Sequence, residues 1–303
     1  MQKIKPNTFL IGAPKSGTTA LAGYMSQHPQ VFFSTPKELH YFTANEYEQV
    51  PRIKPDLDSY LDKFADSPAA CNIVAEGSVW YLYSDIAVQR IAEFNPSAKL
   101  IVMLRRPDEM VYSQHSMHLQ TSYEYEMDFE RAWNRSLNMP DDNLTPENRL
   151  LQYTKIANYG DQLERVFQSF PEEQIHVIIY DDFCKDNMVC LAELCQFLEI
   201  ESDFEFKPYV TNENRVLKSK RIGKFTSKPP LSLIAVYRNT KKALGLDKYK
   251  LGVLNKLRSA NTDKISRTPL DTKLSMSIID HYRPQIVKLE SIINRPLENW
   301  FVL

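Results

Sequence analysis

Apolar positions along this chain gather into short runs separated by stretches with helical spacing. The runs are Thr8–Ile11, Val31–Phe33, Ile73–Ala75, Lys99–Leu104 and Ile175–Tyr180. Short continuous apolar runs of this kind suit strands covered on both faces, as in parallel sheets. Between them the spacing predicts helices over Thr18–Gln27, Asp56–Ala65, Asp85–Phe94, Phe129–Leu137, Lys155–Phe170 and Asn187–Leu198. A further helix starts at Pro107, since proline fits the first helical turn. Strands and helices that alternate in this way build βαβ units. After Phe206 the alternation fades into a basic loop, some helix around Leu231–Leu244, and a last amphipathic helix near Lys273–Ile293. The expectation is one α/β domain over residues 1–303. Its parallel β-sheet core, flanked by helices, covers 8–206, and a basic C-terminal subregion of loop and helices covers 207–303.

With 303 residues, 43% hydrophobic and 25% charged, the composition excludes a fibrous or wholly disordered chain. No apolar run approaches the roughly 20 residues that span a bilayer, and Met1–Asn7 is too short and polar to read as a signal peptide. The four cysteines (Cys71, Cys184, Cys190, Cys195) form no CxxC pair and read as free thiols of a reducing compartment. These features predict a cytoplasmic protein without a transmembrane segment. The net charge of −1 conceals an asymmetry: Arg215–Lys273 holds sixteen Lys/Arg against three acids, Asp247, Asp263 and Asp271. Such a block is either a solvated face or a surface for an anionic ligand.

The sharpest local feature is Gly12-Ala13-Pro14-Lys15-Ser16-Gly17-Thr18-Thr19, directly after a strand and opening a helix. Glycines permit a tight turn with inward N–H groups, and the helix N-terminus adds partial positive charge, so the loop is suited to phosphate. It has the frame of a P-loop, but Thr18 stands where that motif places lysine. The lysine is Lys15, inside the loop, where it can sit over the bridge between two anionic groups. A nucleotide hydrolase also needs a Lys-Ser/Thr pair for Mg²⁺ and a nearby acid. The pair is absent, and Glu76, Asp181 and Asp182, which follow strands, are weak candidates for the acid.

Pro14–Thr19 resembles the 5′-phosphosulfate loop, P-K-x-G-T-T/S, of sulfotransferases that use 3′-phosphoadenosine 5′-phosphosulfate (PAPS). A second element agrees: the strand ending at Arg105 is followed eight residues later by Ser113. In that family such an arginine and serine grip the 3′-phosphate. An arginine at a strand end and a hydroxyl two turns into the next helix can converge on one anion. Arg106 is given no part in the site, since members of the family that the chain resembles often carry Asp or Asn there. The resemblance implies that Pro14, Lys15, Ser16, Gly17, Thr18 and Thr19 hold the 5′-phosphosulfate. Lys15 also stabilises the leaving oxygen, and adenosine 3′,5′-bisphosphate is the product.

Sulfuryl transfer needs a base for the acceptor hydroxyl. Pro36-Lys37-Glu38-Leu39-His40-Tyr41-Phe42 resembles the K-E-x-H-F-F stretch of the carbohydrate branch, which includes the heparan sulfate sulfotransferases. The resemblance makes Glu38 the base. His40, two residues on and on the same face of an extended segment, is the alternative. Glu76-Gly77-Ser78-Val79-Trp80-Tyr81 looks like that branch's acceptor-cleft segment, with Val79 in place of the usual proline and Gly77 in place of the lysine of some members. Lys218, Ser219 and Lys220 match a basic family loop that closes over the nucleotide. Arg295–Trp300 partly echoes a late family pattern that packs the last segment.

His115 and His118, three apart, lack a third ligand in the sequence, so no metal is expected. Tyr123–Glu130 reads as an acidic loop entering a helix, and no nucleic-acid recognition module is present. The resulting expectation is a P-loop-like α/β enzyme that moves a sulfuryl group from PAPS to a hydroxyl, on a carbohydrate or glycoconjugate. Two alternatives stand beside it: a metal-dependent P-loop kinase or NTPase, and a non-catalytic nucleotide-binding member of the fold.

Overall fold

A computed structural model describes residues 3–43, 46, 56–140, 144–146, 148–209 and 268–302, together with the backbone of 215–217 and 262–264. Five strands, β1 (Thr8–Gly12), β2 (Val31–Phe33), β3 (Ile73–Glu76), β4 (Lys99–Leu104) and β5 (Ile175–Ile179), pair in parallel in the order β2-β3-β1-β4-β5. β1 lies at the centre, with Thr8 opposite Ala75 on one side and Lys99 on the other. All five of its residues are buried, as are all four of β3 and five of six in β4. Their continuous apolar character follows from being covered on both faces. From β1 the chain crosses to β2, returns to β3, and then passes to β4 on the other flank. The C-terminal end of β1 is therefore a topological switch point, where open α/β sheets leave a crevice.

The helices are α1 (Thr18–Met25), α2 (Leu57–Leu61), α3 (Ala87–Phe94), α4 (Pro107–Gln120), α5 (Phe129–Leu137), α6 (Tyr153–Ile156), α7 (Tyr159–Ser169), α8 (Tyr180–Lys185), α9 (Asn187–Leu198) and α10 (Thr272–Ile293). One apolar cluster joins Leu10, Ile101, Met103 and Ile178 of the sheet to Leu21 and Met25 of α1 and Leu191, Leu194 and Leu198 of α9. Cys190 and Cys195 belong to this cluster, and burial pushes both thiols up to about 11. Protonated at neutral pH, they act as packing groups. Aspartates at Asp56, Asp186 and Asp271 accept backbone N–H bonds at the starts of α2, α9 and α10. Each such cap contributes about 0.5–2 kcal/mol.

The structure departs from the sequence pattern in two places. Lys155–Phe170 is not one helix but α6 and α7, broken at Ala157 and Asn158. Ile156, Tyr159, Leu163 and Val166 all stay buried across the break, so the periodicity does not register it. Tyr180 opens α8 instead of closing β5. The last helix falls where the sequence places it, and α10 packs against α7, with Lys288 paired to Asp161 and Glu164 at 2.8 and 2.9 Å.

The chain divides into two compact units: 1–112 with 133–211 and 270–303, and 113–132 with 212–269. The first holds the sheet and, in contrast to the sequence grouping, α10. In the second, His115 Nε2 contacts the Glu126 carbonyl at 2.8 Å and Gln114 contacts His118 at 2.6 Å. A short antiparallel pair there joins β6 (Arg215–Leu217) to β7 (Thr262–Lys264). The helix predicted around Leu231–Leu244 lies outside the described residues.

Candidate active site

The loop after β1 is shaped by its backbone. Gly17 has φ 90°, and a Cβ there would stand 2.9 Å from the Tyr180 ring. A Cβ on Gly12 would stand 2.7 Å from Leu82 Cβ. Both positions therefore require glycine, one for its conformation and both for the close approach. Lys15 itself adopts φ 59°. Ala13 N–H donates to the Met103 carbonyl at 2.6 Å, tying the loop to β4. Gly17 precedes α1 without a side-chain cap, so the first N–H groups of α1 lack a capping acceptor from it. Ser16 is fully buried with Oγ donating to the Pro14 carbonyl at 3.3 Å, and Thr18 is almost wholly buried. Beneath them, burial raises the pKa of the Tyr159 hydroxyl against opposing pulls from Ser16 and Arg105.

Arg105 follows β4 and turns to the same loop, its Nη1 donating to the Lys15 carbonyl at 3.4 Å. Its guanidinium lies 4.7 Å from the centre of the Tyr180 ring and pairs with Glu109, Nη2 to Oε2, at 2.7 Å. Neither Tyr180 nor Glu109 was marked by the sequence reading, although Glu109 stands at the i+4 position from Arg105. Ser113 sits two turns into α4, buried, and belongs to the second unit. Arg106 is a structural residue, with its side chain mostly buried. It makes two bonds to the buried Asp108, which in turn accepts from Ser275 of α10. Lys218, Ser219 and Lys220 lie outside the described residues.

The second element is the segment after β2. His40 Nε2 lies 3.2 Å from Glu38 Oε2, so the two candidate bases touch, although His40 has φ 53° and the segment is not simply extended. Lys37 Nζ lies 3.5 Å from Glu38 Oε1 and donates to Thr18 Oγ1 at 3.3 Å, which joins this segment to the loop. The segment was read for its carboxylate and imidazole, and the lysine beside them was missed. A cation next to a carboxylate was the available signal. Burial is the largest influence on Glu38 and raises its pKa. The His40 hydrogen bond and the Lys37 charge outweigh it, holding the carboxyl below its usual range. Glu38 is therefore ionised at neutral pH and one-third exposed, which leaves it able to accept a proton. Burial pulls the Lys37 ammonium the other way, below its ordinary value.

Glu76 is not an exposed strand-end acid. It is fully buried at the end of β3 and receives hydrogen bonds from Tyr60 (2.6 Å), Tyr81 (2.7 Å) and Ser78 (2.5 Å). Burial raises its pKa despite these bonds. Ser78 Oγ in turn accepts from the N–H groups of Leu39 and His40 at 3.0 and 2.9 Å. The buried cluster thus fixes the backbone that carries Glu38 and His40. The other candidate acids are engaged as well: Asp182 holds Arg295 through two bonds, and Asp181 accepts from Trp300 Nε1 at 3.1 Å. These contacts strap the last segment to the end of β5.

The sulfotransferase domain family model matches residues 5–222, well over half the chain. The chain belongs to this family. It is 26% identical over 214 residues to mouse bifunctional heparan sulfate N-deacetylase/N-sulfotransferase 3, covering 68% of this chain and 24% of that protein. It is also 26% identical to mouse carbohydrate sulfotransferase 15, covering 64% of this chain and 44% of that one. The chain therefore spans less than half the length of these relatives. A sulfotransferase from Alicyclobacillus acidocaldarius aligns over 98% of this chain and 99% of its own, with a TM-score of 0.71 and 22% identity, which shows a shared fold. No helix among the described residues is long and apolar enough to cross a membrane.

Proposed function

We propose that this sulfotransferase uses PAPS and sulfates a hydroxyl on a carbohydrate or glycoconjugate, with Glu38 as general base. One observation carries the reading: an ionised carboxylate, Glu38, joined through Lys37 to a phosphate-shaped loop at the sheet's switch point. The residues suit a polyanionic donor. The loop presents backbone N–H groups and an uncapped helix start, and Lys15 within the loop and Arg105, which donates to its carbonyl, carry positive charge. PAPS supplies the sulfuryl group, and adenosine 3′,5′-bisphosphate is left behind. Pro14–Thr19 hold the 5′ end, and Lys15 stabilises the negative charge that reaches the 5′-phosphate oxygen as its bond to sulfur breaks. Arg105 binds the 3′-phosphate, exchanging Glu109 for it, and Ser113 is assigned to the same phosphate on its spacing alone. Glu38 removes the acceptor proton as the acceptor oxygen bonds to sulfur. Lys218–Lys220 are proposed to close over the nucleotide. Four unpaired cysteines support a cytoplasmic setting.

A metal-dependent NTPase is disfavoured by the same geometry. Glu76, Asp181 and Asp182 are each committed to protein partners away from a metal role. The test is transfer from radiolabelled PAPS to a panel of hydroxyl-bearing glycans by the wild type and by Glu38→Gln. Turnover is expected to fall by about 10²–10⁴, the usual scale for a removed acid–base group. Near-normal turnover in the variant would remove Glu38 from the base role.

A further inference from the structure

Lys37 stands where the two halves of the site meet. Its Nζ lies 3.3 Å from Thr18 Oγ1, at the start of α1, and 3.5 Å from Glu38 Oε1. The side chain is only about one-fifth exposed, and its backbone is fixed on both sides. The Lys37 carbonyl accepts from Gly77 N–H at 3.0 Å and from Ser34 Oγ at 3.2 Å. Its stem crosses directly over Gly77, where a Cβ would fall 3.0 Å from Lys37 Cγ, 3.2 Å from Cδ and 3.2 Å from the Phe33 ring. The missing side chain at 77 is thus the channel in which the lysine lies. A largely buried ammonium is costly without anionic partners. Glu38 is one such partner, and the hydroxyl of Thr18 takes only one of its three N–H donors.

We propose that Lys37 is a second cationic residue of the transfer site, binding the non-bridging oxygens of the sulfuryl group as it passes from donor to acceptor, and that Gly77 is the glycine which admits it. The proposal rests on the donor and base assignments above. Lys15 acts at the leaving oxygen, and Lys37 acts at the transferring group, so the two lysines divide the charge. Lys37 forms and breaks no covalent bond. Its ammonium also faces Glu38, and keeps that carboxylate pointed at the same spot.

The experiment compares wild type with Lys37→Met, which keeps an unbranched stem over Gly77 and removes the charge. Radiolabelled PAPS turnover and calorimetric binding of adenosine 3′,5′-bisphosphate are both measured. The bisphosphate lacks the sulfuryl group, so its affinity is expected to stay within about twofold while kcat falls by about 10²–10³, the scale of a lost transition-state donor. Gly77→Ala supplies a second variant that deletes no polar group. By pushing the Lys37 stem aside it is expected to lower kcat several-fold, again with unchanged bisphosphate affinity. A Lys37→Met enzyme with kcat within threefold of wild type would overturn the proposal. So would a loss that disappears at higher pH, because Lys37 would then act only by lowering the pKa of Glu38. If the wild type fails to bind the bisphosphate at all, the donor reading itself falls, and this inference falls with it.

Discussion

The two halves of the site are held in opposite ways. The loop after β1 is held by backbone: Gly12 and Gly17 approach neighbouring residues too closely for a side chain, Lys15 and Gly17 take positive φ, and Ala13 is tied to β4. The segment after β2 is held by side chains. Ser78 grips its two N–H groups, and Glu76, Tyr60 and Tyr81 fix Ser78 from below. The loop is thus a rigid cradle whose shape tolerates few substitutions. The segment that carries Glu38 and His40 rests on a buried polar network, and changes within that network can disturb it. A division of this kind suits a fixed, common donor and an acceptor side that must be tuned.

Breaking the cradle should have the larger effect. Gly17→Ala forces a Cβ into the Tyr180 ring at a left-handed position, which costs about 1–3 kcal/mol of stability. It should also weaken binding of adenosine 3′,5′-bisphosphate at least tenfold, as read by thermal unfolding and calorimetry. Normal affinity in this variant would mean that the loop does not contact the nucleotide.

Glu76→Gln disturbs the other half. Three hydroxyls donate to the carboxylate, and the amide offers one of them a donor in place of an acceptor, so about 1–3 kcal/mol should be lost. kcat should fall several-fold with nucleotide affinity intact. The pH dependence has a definite sign. Burial raises the folded-state pKa of Glu76, so its contribution to stability is full at low pH and is lost as pH rises through that value. The variant should flatten this dependence in urea unfolding across pH.

The smallest effect sharpens the choice between Glu38 and His40. The His40 hydrogen bond is the strongest influence holding the Glu38 pKa down, and burial opposes it. In His40→Ala the pKa should rise, so the acid limb of the kcat profile should move to higher pH while the plateau survives. A collapsed plateau would instead make His40 the base.

The sequence exposed the cradle because its chemistry is local. Gly12–Thr19 is a contiguous string bracketed by a strand and a helix, and β1, β2, β3 and β4 were legible as apolar runs. Glu38 and His40 do meet, but through a turn at His40 and not through the extended backbone that their spacing implied. What escaped depends on contacts between distant segments. Lys37 reaches Thr18 nineteen positions away. Glu76 was ambiguous because a strand-end carboxylate looks the same in sequence whether it faces solvent or lies under two tyrosines. Tyr180, placed in a strand, opens a helix and covers Gly17 and Arg105. The break between α6 and α7 was hidden because the buried side remains continuous through it.

The proposed function calls for a metal-independent site for a 3′-phosphorylated adenosine phosphosulfate. Calorimetric titration of the protein with adenosine 3′,5′-bisphosphate in a chelating buffer, beside ATP with Mg²⁺, tests it most directly, with Arg105→Ala as the paired variant. The bisphosphate is expected to bind tightly without metal, with binding lost in Arg105→Ala, and ATP is expected to show little affinity. Preference for ATP with Mg²⁺, indifferent to Arg105, would contradict the proposed function and return the loop to the NTPase reading.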